Sequence, residues 1–463
     1  MLNLREKLAR LKIRSASTDR SLPGFGLYHF NLEDADGRTR IHLRIEPGNE
    51  GQPPRGTLLI NANRAVQLNY TAALMAYFTL MKTPQEITIK KLTRNFNVSS
   101  QVASKDYAQF LESFVPLITP AGPCPICDLE LDISPPFSLK PSAPFRMDLA
   151  ITYRCNNDCL HCYNQRPRGS PELTTQEWFS ILDHLWKIGI PHIVFTGGEP
   201  TLRDDLPDLI ACAQNIGFIT GLNTNGRRLS DKRYVEKLVN AGLDHVQITL
   251  ESHNSEIHDA IVAAKGAWQQ TIRGIANALD TPLFVMTNTT LLRDNAPYLD
   301  KTLDFLASIG VPTVGLNGLI HSGRGADFSG GLSESELPSL LELAKQRTEA
   351  KQQRLIWYTP TQYCAFDPMS LDLGVKGCTA ALYNMCIEPD GSVLPCQSYY
   401  QPLGNILTDS WESIWNHELC QYIRERGYVD EQCKGCSLLK ECGGGCPLFK
   451  SSKSAPTNTI FHL

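Results

Sequence analysis

From residue 146 to about 330 the chain alternates short apolar runs with longer stretches of helical periodicity. Runs at 147–152, 192–196, 218–222, 245–250, 283–289 and 313–319 are separated by helix-like segments near 174–188, 204–216, 230–241, 268–279, 295–309 and 333–351. Strands alternating with helices pair in parallel and cross over right-handed. Six βα units predict an incomplete α/β barrel, with functional loops at the C-terminal ends of its strands. The loop after the first run reads Cys155-Asn156-Asn157-Asp158-Cys159-Leu160-His161-Cys162-Tyr163. Thiolates held that close suit a soft metal site or an iron–sulfur cluster. Three ligands would leave one iron open to a substrate or cofactor. A zinc loop, or reduced thiols without a function, is the alternative reading of this spacing.

Fifteen cysteines could also indicate a secreted disulfide framework. At 463 residues the chain has length for two to four domains and needs no such staples, and its N-terminus lacks the apolar core of a signal peptide. A cytoplasmic protein that uses its cysteines for metal is expected. Leu4, Leu8 and Leu11 interleave with Arg5, Lys7, Arg10, Lys12 and Arg14, which predicts an amphipathic helix docked on its own domain. No apolar run approaches the ~20 residues of a membrane span. With 44 basic against 48 acidic residues there is no electrostatic case for nucleic acid or an acidic membrane.

Residues 1–120 read as a separate α+β domain. Asp36-Gly37 divides Leu27–Leu32 from Arg38–Ile45, and Asn61–Arg64 turns between Leu58–Ile60 and Ala65–Leu68. Three helices follow: one capped by Asn69, one opened by a capping box at Thr83-Pro84-Gln85-Glu86, one begun at Ser99 or Ser100 with Val102, Tyr107, Phe110 and Leu111 as its stripe. Strands followed by three helices suggest a winged helix, yet no arginine cluster marks it for DNA. Residues 121–145 form a proline-punctuated linker containing Cys124-Pro125-Ile126-Cys127, whose pair could be redox-active, half of a zinc site or a donor to a cluster elsewhere.

The cysteine loop resembles the cluster motif of the radical S-adenosylmethionine (SAM) enzymes, and further motifs agree in order. That resemblance implies a 4Fe–4S cluster on Cys155, Cys159 and Cys162 that binds SAM and cleaves it reductively. Thr196-Gly197-Gly198-Glu199-Pro200 follows the second strand and resembles the family's GGEP motif, whose adjacent glycines let the backbone approach a ligand closely and whose glutamate holds the SAM amino group. Asn223-Thr224-Asn225-Gly226 is similar to its T-N-G, which brings in Asn225. Thr249 and Glu251 stand where relatives usually show serine and aspartate, keeping a hydroxyl and a carboxylate for the ribose region. Val262 replaces an arginine that many relatives aim at the SAM carboxylate; Arg324 is the substitute considered, a solvated loop arginine the alternative.

Beyond residue 351 the pattern changes to short strands and cysteine-rich turns. Cys378 and Cys396 flank Gly391, and Pro389-Asp390-Gly391 predicts a hairpin that brings the pair together; Cys433-x2-Cys436-x5-Cys442-x3-Cys446 follows. The last four alone could form a zinc knuckle. Together the spacings resemble the SPASM module, which implies auxiliary 4Fe–4S clusters: one on Cys378, Cys396 and Cys446, the other on Cys433, Cys436 and Cys442. The family's seventh cysteine is not found after Cys446, so a substitute ligand, a labile cluster or its loss is expected. Cys364 and Cys386 flank the module and could complete a cluster; Cys212 reads as a core thiol.

Residues 1–120 also resemble the PqqD-like domains that add a precursor peptide's leader to a sheet edge. The combined expectation is a radical SAM enzyme that modifies a ribosomally made peptide, with one or two auxiliary clusters and an electron donor such as flavodoxin or ferredoxin. A maturase of a haem-type tetrapyrrole or of a sulfatase is the alternative enzyme, and an iron–sulfur sensor or regulator the alternative outside enzymes. The expected domains are 1–120, the linker 121–145, the barrel 146–351 and the SPASM module 352–463.

Overall fold

The computed structural model describes residues 11–12, 22–34, 37–48, 53–61, 64–118 and 141–449. Two compact units emerge, residues 1–135 together with 184–191, and residues 136–183 together with 192–463. Cys124, Cys127 and most of the expected linker lie outside the described residues.

The first unit holds an antiparallel sheet of β1 (Leu11–Lys12), β2 (Gly26–Asp34), β3 (Gly37–Glu46), β4 (Arg55–Ile60) and β5 (Arg64–Asn69), in that order. Helices α1 (Tyr70–Leu80), α2 (Gln85–Phe96) and α3 (Ser100–Ile118) follow. Alternating Ile41, Leu43 and Ile45 of β3 meet Leu58 and Ile60 of β4 and, from α3, Phe114, Leu117 and Ile118. A fully buried Leu or Ile contributes ~1.5–3 kcal/mol. Asn69 caps α1 as expected, its Oδ1 accepting the Ala72 N–H at 2.8 Å. Ser99 caps α3, its Oγ accepting from Val102 N at 3.2 Å.

Three local expectations fail here. Leu11–Lys12 is a strand paired with Leu32 and Asn31, not part of a helix; the rest of that expected helix lies outside the described residues. The capping box does not form: extended Pro84 takes the cap position of α2 without a side-chain bond. Of the expected α3 stripe, Tyr107, Phe110 and Leu111 do pack inward, but Val102 is 48% exposed and Ala103 is buried in its place.

In the second unit the six predicted strands appear as β6 (Arg146–Thr152), β7 (His192–Gly197), β8 (Ile219–Thr224), β9 (His245–Thr249), β10 (Phe284–Thr290) and β11 (Thr313–Asn317). The crossovers are α4 (Thr175–Ile188), α5 (Leu206–Ile216), α6 (Lys232–Ala241), a short α7 (Ser255–Ile261) with α8 (Ala267–Leu279), and α9 (Leu299–Ser308); α10 (Leu337–Ala350) follows β11. Only α7 was not foreseen. The sheet continues past residue 351. β12 (Arg354–Trp357) adds in parallel to β11, and a hairpin of β13 (Asn384–Ile387) and β14 (Val393–Leu394) adds at the other end, with β13 parallel to β6. The turn at Pro389–Gly391 is the one expected.

The sheet curls. Tyr358, just after β12, and Arg146, at the start of β6, influence each other electrostatically although five strands, β11 to β7, stand between β12 and β6 in the sheet. At the N-terminal strand ends the concave face carries an Arg146–Asp148 ion pair at 2.9 Å and a His192–His245 pair with Nε2 atoms 2.9 Å apart. Toward the C-terminal ends the same face presents Thr196, Asn223, Gln247, Thr249, Asn288 and Asn317, by strand alternation and register. A closed barrel fills this space with branched aliphatics. A polar lining is what a ligand-receiving lumen needs.

Candidate active site

The cysteine loop leaves β6 at the C-terminal rim and is pinned from three sides. Asp158 N donates to Val262 O at 2.9 Å and Leu160 N to Ile261 O at 3.0 Å, which docks the loop on the end of α7. Arg168 donates to Cys155 O at 3.1 Å and to Asn157 O at 2.6 Å. From the third side come Asn225, whose Nδ2 donates to Asn156 Oδ1 at 2.7 Å, and Arg227, which donates to Asn156 O and to Asn157 Oδ1. Burial pushes the Cys155 thiol up to about 11 and Cys159 well above its ordinary value, with the other loop thiols adding to the effect. The three thiols therefore share one half-buried pocket and must shed protons to bind metal.

Gly197 and Gly198 do approach something closely, and it is this loop. A Cβ on Gly197 would stand 2.1 Å from Thr152 O, and one on Gly198 2.4 Å from Arg154 O. Gly198 N donates to Thr152 O at 2.7 Å and Glu199 N to Arg154 O at 2.8 Å, extending the β6–β7 ladder into the cysteine loop. Glu199, 1% exposed, accepts at Oε1 from Thr201 N, Thr201 Oγ1 and Thr224 Oγ1 at 3.1, 2.5 and 2.7 Å, and at Oε2 from Asn225 N at 2.8 Å. Burial raises its pKa, and these bonds offset that rise only in part. The carboxylate ties the ends of β7 and β8 together and so sets the position of Asn225.

Thr249 is half-buried at the end of β9. Glu251, two residues on and buried, accepts at Oε2 from Thr290 N at 3.0 Å. Its Oε1 lies 3.2 Å from Nε2 of His161, inside the cysteine loop. Nδ1 of His161 is buried without a hydrogen-bond partner. His258, Asn295 and Thr290 brace Glu251 through its backbone and side chain. Val262 is buried, and its carbonyl serves the loop as described. Arg324 also reaches the loop: Nη1 lies 2.6 Å from Asp158 Oδ1, which the Arg168 guanidinium shares at 2.7 Å. Its side chain is paired there and still 45% exposed.

Sequence reasoning passed over His161, Arg227, Arg168 and Asn295. His161 carried a signal, an imidazole inside the thiol motif itself. Arg168 follows the thiol motif closely, whereas Arg227 and Asn295 are brought in by loops distant in sequence.

Among the C-terminal cysteines, Cys378, Cys396 and Cys446 fall together. Burial pushes Cys396 up to about 12 with Cys378 as the next cause, and Cys446 is pushed up by burial and then by Cys378 and Cys396. Ala381 N donates to Pro395 O at 2.8 Å, closing the expected approach of the 378 and 396 segments. Cys386 is buried in β13 among Ala150, Tyr153, Leu394 and Tyr400. Cys420 is buried with its thiol toward Ile414 O, and Cys212 is half-buried on α5, less enclosed than expected. Among the described residues no three of His, Cys, Asp or Glu converge tightly enough to share a single metal ion.

The cysteine loop and the module meet directly. Tyr163 OH donates to Gln397 Oε1 at 3.3 Å, Arg166 clasps Glu388 through two bonds of 2.7 and 2.8 Å, and Tyr153 OH donates to the same carboxylate at 2.9 Å.

Residues 149–306 match the model of the Radical SAM superfamily. Residues 378–437 match an iron–sulfur cluster-binding domain, SPASM, which spans Cys378, Cys396, Cys433 and Cys436 and stops short of Cys442 and Cys446. Among solved structures the fold is similar to Streptococcus suis SuiB bound to S-adenosylmethionine, at 18% identity and TM-score 0.62 over 85% of this chain and 92% of that one. It is also similar to SuiB bound to its precursor peptide SuiA, at 16% identity and TM-score 0.64 over 88% and 94%. Native anSMEcpe with bound AdoMet, at 17% identity and TM-score 0.55, covers 67% of this chain and 91% of that one.

The chain is an enzyme. Its cofactors are SAM, a 4Fe–4S cluster that binds it, and one or two auxiliary 4Fe–4S clusters. The residues present fit these groups, with buried thiols grouped in one loop and in the module, and a buried His161 Nδ1 without a hydrogen-bond partner inside the first group's own loop. No helix among the described residues is long and apolar enough to cross a membrane.

Proposed function

We propose that this enzyme modifies a ribosomally synthesised peptide, using the 5′-deoxyadenosyl radical that reductive SAM cleavage supplies to remove a hydrogen atom from a residue of that peptide. The observation that carries the reading is the convergence of the cysteine loop, Glu199, Asn225 and Glu251 on the C-terminal rim of a polar, half-open lumen. Cys155, Cys159 and Cys162 would hold the SAM cluster. Gly197, Gly198, Glu199 and Asn225 would shape the site for the amino-acid end of SAM, and Thr249 and Glu251 its ribose region. Cys378, Cys396 and Cys446 would hold one auxiliary cluster, and Cys433, Cys436 and Cys442 the other. Embedding SAM among these groups, away from bulk water, protects a reactive radical from side reactions.

The N-terminal sheet supports a peptide partner. Among the described residues β1 pairs with β2 at Asn31 and Leu32, and β5 forms the opposite edge of the sheet. An added strand would gain backbone bonds there, with selectivity from alternate side-chain pockets. The PqqD-like assignment, the cytoplasmic location and a flavodoxin- or ferredoxin-type electron donor belong to this proposal. SuiB, whose fold is similar, was solved with a precursor peptide, which is consistent with this reading.

The decisive test replaces Cys155, Cys159 and Cys162 together by alanine. The variant should make no 5′-deoxyadenosine under reducing conditions while keeping its auxiliary iron. SAM cleavage at the normal rate in that variant would sink the assignment.

A further inference from the structure

Arg324 is carried by a segment wedged between two thiol-bearing stretches of the chain. Ser322–Gly325 follows β11. Gln165 Nε2, a little past Cys162, donates to Ser322 Oγ at 3.0 Å, and that hydroxyl donates in turn to Ser398 O at 2.8 Å, a little past Cys396. Ser322 is buried. Gly325 N donates to Cys162 O at 3.3 Å. A Cβ on Gly323 would stand 2.6 Å from Tyr163 O, and one on Gly325 3.1 Å from His161 O. The segment therefore lies directly on the backbone around Cys162.

That seat fixes where the guanidinium goes. Arg324 Nη1 donates to Asp158 Oδ1 at 2.6 Å, and the Cys162 thiol is its other hydrogen-bond partner. Burial lowers the Arg324 pKa, and Asp158 and then Cys162 more than reverse that. An arginine in any case keeps its charge at every working pH. Arg168 stands on the same carboxylate, at 2.7 Å, but it also braces the loop backbone through the carbonyls of Cys155 and Asn157. Among the described residues the Arg324 guanidinium bonds to side chains alone. Two guanidiniums on one carboxylate leave a net positive charge at this edge of the loop.

We infer that Arg324 sets the reduction potential of the SAM-binding cluster, its fixed positive charge beside Cys162 making that cluster easier to reduce. The inference rests on Cys155, Cys159 and Cys162 holding the cluster. Three thiolates around a 4Fe–4S core carry net negative charge, and taking up one electron adds to it. A cation within hydrogen-bonding range of one thiolate stabilises the reduced form more than the oxidised form, which raises the potential. Net charge, hydrogen bonds to the sulfurs and solvent exposure are the protein's levers on such clusters. Asp158 acts with the opposite sign and is outweighed by its two guanidiniums. The Arg324 side chain is 45% exposed, so water and salt screen part of the effect. The loop does not need this side chain for its shape, because the carbonyls of Ile261 and Val262, Arg168, Asn225 and Arg227 all still pin it.

The test is a redox titration of the full-length enzyme, reconstituted without oxygen and followed by electron paramagnetic resonance before SAM is added. The signal missing from the Cys155→Ala/Cys159→Ala/Cys162→Ala variant identifies the SAM-binding cluster. Arg324→Gln should lower its reduction equilibrium constant at least about threefold, a downward midpoint shift of ~28 mV at ~59 mV per tenfold for one electron. The auxiliary signals should stay where they were. Arg324→Lys, which keeps the charge, should lie closer to wild type than Arg324→Gln does. Asp158→Asn should move the midpoint upward. Equal midpoints in wild type and Arg324→Gln would overturn the inference. A weaker SAM affinity in Arg324→Gln at an unchanged midpoint would also overturn it, by assigning the guanidinium to SAM itself. If Arg324→Gln retains no such cluster, Asp158→Asn decides, and the lack of an upward shift there overturns the inference. A full set of signals in the triple-cysteine variant would remove the cluster from this loop, and the inference with it.

Discussion

At the scale of single residues, the glycine pair after β7 shows how narrow the tolerance is. Gly198→Ala would drive a methyl group to 2.4 Å from Arg154 O, which is backbone and cannot swing aside. Overpacking of this kind costs about 1–3 kcal/mol. Here it should displace the cysteine loop, so we expect Gly198→Ala to lose most SAM cleavage and about four irons per chain while the fold persists by circular dichroism. Normal SAM-cluster iron in that variant would show that the loop does not depend on this approach. A second residue-scale outcome concerns pH. His245 is held down to about 4, by burial first and by Arg146 second. Its folded pKa lies below the ordinary value of about 6.5, so the unfolded chain binds the proton first. The stability it contributes is present above about pH 6.5 and is lost as pH falls toward 4, by at most ~3 kcal/mol. Asp148, whose pKa burial raises, works in the opposite direction in acid. The measurement is therefore the difference between wild type and His245→Asn, which also cancels acid loss of the clusters. The variant should show the shallower loss of stability between pH 6.5 and 4. Equal slopes would refute the assignment.

At the scale of elements, β3 decides how peptide binding can be tested. A proline at Leu43 looks attractive from sequence, because the residue lies in a predicted hairpin strand. Leu43 is instead fully buried and paired on both sides, with Tyr28 of β2 and Leu58 of β4. Proline there would break a central strand and the core with it, so Leu43→Pro should unfold the first unit and would report nothing about an edge. Hydrogen exchange is the better probe. If a precursor peptide adds as a strand, amides of Gly26–Phe30 or of β5 should slow on binding, while those of β3 stay as slow as before. Unchanged exchange at both edges under saturating peptide would exclude strand addition. The helices teach a related lesson. Asn69 and Ser99 were legible as caps because their bonds are local, whereas the buried face of α3 was legible only in part: Tyr107, Phe110 and Leu111 pack inward and Val102 does not, because the limits of that face depend on what packs against it.

At the scale of the whole molecule, the module is part of the barrel's own sheet. β13 pairs with β6, the strand that delivers the cysteine loop, and Tyr163, Arg166 and Tyr153 bond across to Gln397 and Glu388. Loss of the module should therefore loosen the SAM site as well as remove auxiliary iron. Deleting residues 378–463 is expected to reduce SAM cleavage at least tenfold, an effect that rate measurements on the truncated and full chains would check. The reconstituted full chain should carry about eight to twelve irons, if each site holds a 4Fe–4S cluster. Four would leave the module without one. Much of this was already written in the linear chain. Hydrophobic periodicity determined the six βα units, because strand and helix repeats are local properties, and thiol spacing placed the metal chemistry on the loop after the first strand. Tertiary structure alone decided the rest. The curl of the sheet made the lumen, a buried carboxylate joined the ends of β7 and β8, and the segment after β11 brought Arg324 to the cysteine loop. Each of these depends on which distant segments come within bonding range, and no local pattern in the chain encodes that.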